Sequence, residues 1–140
     1  MKSKNSSTMQ PIKNLLAPKT VLLIAILYTF IITVAFLLPG RDLPRTQLPL
    51  DKIVHIGIHA GLIFLWILYF FRKKSKNAAI ATIYYVAIAC FVYGIIIEGL
   101  QEMLIPMRHL DFNDLIANSV GILLGGILFY GTRSFFENQN

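Results

Sequence analysis

Polar residues that could do chemistry recur at helical spacing in three parts of this 140-residue chain. In the first part, Asp51, His55 and His59 are spaced four residues apart, so they lie on one face of a helix. At about 100° per residue, each of the other two sets also shares one face. These sets are Gly94, Glu98, Gln101 and Glu102, and then Asp111, Asp114, Asn118, Gly121 and Gly125. Carboxylates and imidazoles carry acid–base chemistry and bind metal ions, so the three stripes contain the candidate site.

His55 and His59 have the i, i+4 spacing by which one helix presents two imidazoles to a metal ion. Glu98 or Asp114 would complete a zinc site with them. However, no glutamate stands between the histidines as it does in the H-E-x-x-H motif of metalloproteases. Two histidines at this spacing are also common by chance. We therefore expect no metal and no other cofactor.

Nucleophilic residues give no clearer signal. No serine lies in a G-x-S-x-G context, and the single cysteine, Cys90, has apolar neighbours that disfavour a thiolate. One cysteine also excludes a disulfide framework. The sequence leaves open whether the protein is an enzyme.

Long apolar runs must position these residues. The chain is 56% hydrophobic and 14% charged, whereas a soluble domain has about a quarter charged residues. Four runs reach the roughly 17–25 residues that a helix needs to cross a bilayer: residues 20–38, 53–71, 78–100 and 112–132. Each run is expected to be helical, because backbone groups in lipid must be hydrogen-bonded internally. We expect the first run to be retained, because it is long for a signal peptide and lacks a small-residue cleavage site.

These runs predict an all-α integral membrane bundle of four transmembrane helices. Short loops make neighbours in sequence antiparallel neighbours in space. The predicted organisation is a basic cytoplasmic tail over residues 1–19, one transmembrane domain over 20–132 and a cytoplasmic tail over 133–140.

The basic residues predict the orientation, because Lys and Arg are concentrated at cytoplasmic ends. Nine of the thirteen fall on the side of the two termini and four on the other side. We therefore expect both termini in the cytoplasm, the helices in the plasma membrane and all three polar stripes in the outer halves of the helices. The net charge of +6 then reflects topology and attraction to anionic lipid, and we expect no nucleic-acid partner.

Several of these residues also have a purely structural interpretation. Asp51 and Asp111 could serve as helix N-caps, and Asn118 could form an interhelical hydrogen bond. In lipid, Glu98 needs a partner, for which Arg108 and His55 are candidates, or it must stay protonated. The spacings Gly121-x-x-x-Gly125 and Gly57-x-x-x-Gly61 favour close helix packing over ligand contact.

The same residues resemble the motifs of the VanZ-like family of small bacterial membrane proteins. The matching strings occur in the family's order and spacing over residues 51–126. They are Asp51-Lys52-Ile-Val-His55, then Gly94-x-x-x-Glu98-x-x-Gln101, and last Arg108-x-x-Asp111-x-x-Asp114-x-x-Ala117-Asn118-x-x-Gly121-x-x-x-Gly125. The chain departs from the family at His59, where an aromatic residue is common. It also reads Ile105-Pro106-Met107-Arg108 where Pro-Gly-Arg is common.

The resemblance implies a cell-envelope setting, since the family is named for a member associated with resistance to the glycopeptide teicoplanin. It supplies no reaction and no substrate. Together with the stripes, it gives a candidate ligand-binding cluster of Asp51, Lys52, His55, Glu98, Gln101, Arg108, Asp111, Asp114 and Asn118.

Three functions compete for this cluster. The favoured one is a non-enzymatic membrane protein whose outward pocket binds a lipid head group, a cell-wall precursor or an antibiotic. The second is a small intramembrane hydrolase or transferase that uses Glu98 or His55 as a general base and Arg108 to hold an anionic group. The third, a transporter or proton pathway, is weaker because the cytoplasmic halves of the helices carry almost no ionisable residues.

Overall fold

The computed structural model describes residues 14–38, 50–74, 80–106 and 109–137. Within these ranges the chain forms four α-helices, labelled α1 (Pro18–Leu37), α2 (Leu50–Lys74), α3 (Ile80–Leu104) and α4 (Phe112–Glu137). Each helix is long and apolar enough to cross a membrane. The prediction of an all-helical chain with four such helices is therefore confirmed for the described residues.

The helices differ from the apolar runs mainly at their polar ends. Helix α2 begins at Leu50 instead of residue 53, and α4 continues to Glu137 instead of ending at residue 132. Polar side chains at a helix end can reach water, so the backbone stays helical beyond the apolar run. Residues 78 and 79, where the third helix was expected to begin, lie outside the described residues, as do residues 1–13 and 138–140.

One of the two expected N-caps is confirmed. The backbone N–H of Asn113 donates to Asp111 Oδ1 over 2.8 Å, which satisfies a free donor at the start of α4. Asp51 instead lies inside the first turn of α2, so the cap interpretation was wrong for this residue. Its charge there still favours the positive end of the helix dipole.

The central contact of the bundle joins α2 and α4, the second and fourth helices, which run parallel to each other. Lys52 meets Asp114 near the start of both helices, and Phe64 packs edge-on against Phe129 further along. Sequence neighbours also pack together, with α1 against α2 and α3 against α4. Short loops predict those antiparallel neighbours. They do not predict that the parallel helices α2 and α4 form the most extensive contact.

Two glycines of α4 make this close contact possible. A Cβ at Gly121 would collide with the backbone oxygen of Ile56, and one at Gly125 would collide with that of Ala60. Because both obstacles are backbone atoms of α2, neither can move aside like a flexible side chain. The prediction of close packing at Gly121-x-x-x-Gly125 is confirmed.

The corresponding glycine pair of α2 behaves as expected at only one position. A Cβ at Gly61 would lie 2.6 Å from the hydroxyl oxygen of Tyr28 in α1, whereas one at Gly57 would meet nothing within 4 Å. The Tyr28 hydroxyl donates to the carbonyl of Ile58 over 2.9 Å. The missing side chain at Gly61 therefore makes room for Tyr28, as expected for close packing. The expectation of close packing was wrong for Gly57.

Large apolar side chains cover the outside of the bundle. Phe30, Ile80, Tyr85 and Ile127 are each more than 60% exposed, and all four helices carry others. Soluble monomers rarely expose contiguous apolar surface on this scale, so it is the surface expected to face lipid.

The two ends of the bundle differ in charge and in connections. At the end where α2 and α4 finish, Arg72 Nε donates to the carbonyl of Leu16 over 2.8 Å, and its Nη1 donates to that of Phe136 over 3.2 Å. Arg72 thus joins the segment before α1 to the last turn of α4. The opposite end, where α1 and α3 finish, holds the candidate site and is called the polar end below.

Candidate functional site

Six polar or charged side chains are buried at the polar end, although the helices around them are apolar. None is more than 3% exposed; they are His55, His59, Glu98, Gln101, Asp114 and Asn118. Helices α2, α3 and α4 contribute two each. Buried polar groups are costly unless hydrogen-bonded, so their gathering at one place indicates a specific arrangement.

The solvent-facing mouth of this cluster is formed by Lys52 and the aspartates around it. Lys52 Nζ donates to Asp111 Oδ2 over 2.6 Å, makes a short ion pair with Asp114 Oδ1 and lies 3.5 Å from Asp51 Oδ2. The side chains of Asp51, Asp111 and Lys52 are 52%, 42% and 26% exposed. The cluster therefore opens to solvent at the ammonium group and closes toward the bundle axis.

Asp111 joins the cap of α4 to this ion pair. The hydrogen bond from Lys52 and then the backbone N–H of Asn113 hold the pKa of the Asp111 carboxyl below its ordinary value of 3.8. Both contacts favour the charged carboxylate.

His55 connects the three helices that build the interior. Its Nδ1 lies 3.0 Å from Asn118 Oδ1 and 3.8 Å from Glu98 Oε1. An amide oxygen can only accept, so Nδ1 carries the proton and donates to Asn118. In the neutral ring, Nε2 then has a lone pair, which faces Asp51 Oδ1 at 3.8 Å, beyond hydrogen-bond distance.

His59 lies one helical turn deeper in the bundle than His55, and its imidazole faces a different direction. Its Nδ1 donates to the carbonyl of His55 over 3.1 Å, while its Nε2 is buried and makes no hydrogen bond with the described residues. A Cβ at Gly94 would lie 3.2 Å from Nε2 and 3.1 Å from Asn118 Nδ2. The absence of a side chain at Gly94 thus lets His59 and Asn118 reach α3.

The two imidazoles therefore do not converge on one metal position. His55 Nε2 faces Asp51, whereas His59 Nε2 faces Gly94. A different set has donor atoms that all lie within 4.8 Å of one another: Asp51, His55 and Asp114. This is the one group among the described residues whose geometry could hold a metal ion.

Gln101 fastens α3 to the end of α1. Its Nε2 donates over 2.8 Å to the carbonyl of Phe36, one of the last carbonyls of α1 and thus without a partner inside the helix. Its Oε1 is buried and makes no hydrogen bond with the described residues.

The structure brings eight of the nine predicted cluster residues to the polar end, as the contacts above describe. The ninth, Arg108, lies outside the described residues, so its expected pairing with Glu98 stays a prediction. Asn118 does make an interhelical hydrogen bond, and its partner His55 belongs to the cluster itself.

Sequence reasoning missed two aromatic residues that line the interior. The Phe36 ring centroid lies 4.9 Å from that of His55, and Tyr93 lies 6.2 Å from His59. The Tyr93 hydroxyl lies 2.8 Å from that of Thr33, which joins α3 to α1. Within an apolar run an aromatic residue has no distinctive spacing, so no sequence signal singled these out.

Tyr93 also borders an apolar cavity of about 290 Å³ between α1, α2 and α3. The lining residues are Thr29, Leu62, Trp66, Phe70, Val86, Ala89, Cys90 and Tyr93. Trp66 donates from its indole nitrogen to the Thr29 hydroxyl over 3.1 Å, so the polar atoms of the wall are partly paired with each other. The cavity is apolar and contains none of the predicted cluster residues.

The side chains gathered here are of the types that bind polar ligands and transfer protons. Asn118 fixes the imidazole of His55, Glu98 lies beside it, and a partly exposed ion pair forms the entrance. A base oriented by a second group is a common feature of acid–base sites. The same groups also suit a polar ligand that needs several hydrogen bonds.

Comparison with known proteins agrees with the motifs at this site. The family model VanZ/LLP1 matches residues 3–136, which is nearly the whole chain. No curated protein and no solved structure matches the chain. The four apolar helices and this match support a multi-pass membrane protein, and the chain belongs to the VanZ/LLP1 family.

Proposed function

We propose that this protein binds a polar ligand of the bacterial cell envelope at the polar end of its bundle, facing away from the cytoplasm. The observation that carries the proposal is the set of six buried polar side chains beneath a partly exposed ion pair. A bundle that needed only stability would place apolar side chains there, because buried polar groups in membranes are rare and usually functional.

The distribution of charges supports the proposed outward orientation. The described basic residues at the opposite end include Lys19, Arg72, Lys73 and Arg133, and the cytoplasmic side of membrane proteins is enriched in such residues. The polar end is rich in acids instead, with Asp51, Glu98, Glu102, Asp111 and Asp114. This asymmetry supports cytoplasmic termini and a site in the outer half of the plasma membrane.

The chemistry of the cluster favours a ligand with hydroxyl, amide or amino groups. Lys52 already has aspartate partners, so its charge is largely neutralised. Candidate ligands are a lipid head group, a cell-wall precursor and a glycopeptide antibiotic of the teicoplanin type. The last would link the protein to resistance, in keeping with the association for which the family is named.

The binding test compares two glutamates on α3 that differ in burial. Glu98 is 1% exposed inside the cluster, whereas Glu102, one turn further on, is exposed. Purified protein in lipid nanodiscs is screened against envelope lipids, cell-wall precursors and teicoplanin by native mass spectrometry. Glu98→Gln should weaken binding of a hit at least about tenfold, while the matched control Glu102→Gln should bind like the wild type. Failure of every ligand to bind, or equal effects of the two changes, would refute the proposal.

A second candidate function is hydrolysis or group transfer on a lipid-linked envelope substrate. The observation that favours it is His55, whose Nδ1 is fixed by Asn118 and lies 3.8 Å from Glu98 Oε1. A catalyst would release product from a lipid-linked phosphate over many turnovers, whereas a binding protein would only saturate. Measurement of released phosphate with the wild type and with Asn118→Leu distinguishes the two functions.

A further inference from the structure

At the mouth of the polar end, Asp51, His55 and Asp114 each offer one donor atom, and these atoms lie within 4.8 Å of one another. Because the separations are at most 4.8 Å, a centrally placed ion can lie within about 2.8 Å of all three atoms. Small side-chain rotations would bring them to the roughly 2.0–2.2 Å typical of zinc ligands.

The orientation of His55 is a second, independent observation. His55 is 2% exposed, and its Nδ1–H donates to Asn118, so the lone pair of Nε2 points into the group. Nε2 lies 3.8 Å from Asp51 Oδ1, and both atoms are acceptors that cannot bond to each other without a cation or a proton between them. Imidazoles that bind metals usually donate their other N–H to an oxygen, which is the role that Asn118 has here.

Among the described residues, Lys52 is the cation that contacts these carboxylates, and a metal ion would compete with it. Its ammonium group donates to Asp111 and Asp114. It is a donor at the end of a flexible stem, 26% exposed, so it can turn toward Asp111 and solvent. Asp51, which is 52% exposed, provides the route by which an ion would enter.

We infer that Asp51, His55 and Asp114 form a binding site for a divalent transition-metal cation such as Mn²⁺ or Zn²⁺, with Lys52 as the competing internal cation. Two carboxylates and one imidazole suit these ions, and three protein ligands leave coordination positions open for water or a ligand. The site differs from a pair of histidines on one helix, because its ligands come from the starts of two parallel helices. The inference does not depend on the proposed envelope ligand, since the metal alone is the probe.

The test uses purified protein from which the purification tag has been removed. Mn²⁺ is titrated into this protein, and its binding is followed by electron paramagnetic resonance. We expect one ion per chain, displaced by Zn²⁺, with nitrogen hyperfine coupling in pulsed spectra. Asp51→Asn should weaken binding at least about tenfold, and Asn118→Leu should weaken it about 10–100-fold as a positioning change. Lys52→Met should tighten binding, because it removes the competing cation.

Two comparisons make the result decisive. Asp111→Asn removes the same charge from the same cluster but no proposed ligand, so it should weaken binding by no more than about threefold. His55→Gln should abolish the nitrogen coupling. Asp51 is half exposed, so its variant is expected to fold even if the His55 variant does not. No Mn²⁺ or Zn²⁺ binding at millimolar concentration, nitrogen coupling that persists in His55→Gln, or equal weakening by Asp51→Asn and Asp111→Asn would each overturn the inference.

Discussion

His55 Nδ1 donates to Asn118 Oδ1 over 3.0 Å, and both side chains are 2% exposed at the contact between α2 and α4. This bond fixes both the rotation and the tautomer of the imidazole. It also determines what the other ring nitrogen faces, since Nε2 must then lie toward Asp51. The Asn118 amide on α4 therefore determines which nitrogen of His55 on α2 is left as an acceptor.

The first prediction concerns Asn118→Leu, which keeps the approximate size of the side chain and removes donor and acceptor. If Asn118 only joins helices, the free energy of unfolding should fall by about 0.6 kcal/mol and function should persist. We expect binding of the envelope ligand, measured per folded molecule, to be lost instead, because His55 loses the partner that orients it. Ser119→Ala is the control, since among the described residues the Ser119 hydroxyl bonds only to Leu115 of its own helix. Full activity in a stable Asn118→Leu protein would remove this residue from the site.

The second prediction compares two adjacent glycines of α4. Gly125→Ala forces a Cβ against the backbone oxygen of Ala60 and should lower the free energy of unfolding by about 1–3 kcal/mol. Gly126→Ala meets nothing within 4 Å and should be neutral or stabilising by up to about 1 kcal/mol through helix propensity. Unfolding in detergent, followed by circular dichroism, measures both. Equal stability of the two variants would contradict the tight contact between α2 and α4.

The third prediction uses the lowered pKa of Asp111. Because the folded protein binds this proton more weakly than the unfolded chain does, the carboxylate contributes stability above its ordinary pKa of 3.8. That contribution is lost as the pH falls through the lower pKa of the folded state. Asp111→Asn keeps a good N-cap and removes the charge.

Asp111→Asn should therefore have a lower melting temperature than the wild type at pH 7, and the difference should shrink as the pH falls below about 4. Scanning fluorimetry at pH 7, 5 and 3 gives the comparison. The exposed Glu102→Gln serves as the control for a simple change in net charge. A difference that stays constant with pH would show that the ion pair with Lys52 contributes nothing.

The fourth prediction concerns topology. Reporter fusions after residue 140 and within residues 41–47 should report opposite sides of the membrane, with the C-terminal fusion in the cytoplasm. An alkaline phosphatase and a fluorescent protein, active on opposite sides, are used at both positions. A C-terminal fusion on the outer side would overturn the outward placement of the polar end.

The sequence by itself determines the helices and most members of the site. Four apolar runs are long enough to cross a bilayer, and hydrogen bonding in lipid leaves them no conformation other than helix. Helical periodicity then puts His55, Glu98, Asp114 and Asn118 on inward faces, because isolated polar groups within an apolar run cannot face lipid cheaply. The Gly121-x-x-x-Gly125 spacing likewise marks a packing face, since it depends on local geometry alone.

Only the tertiary structure decides which of these faces meet and which atoms they present. The close approach of the parallel helices α2 and α4 brings Lys52 to Asp114 and His55 to Asn118, and it depends on packing between segments far apart in the chain. The same packing turns the two histidines toward different partners and recruits Phe36 and Tyr93. Periodicity gives the direction of a side chain from its own helix axis. The neighbours that it contacts depend on how the helices rotate and approach one another, which local sequence does not encode.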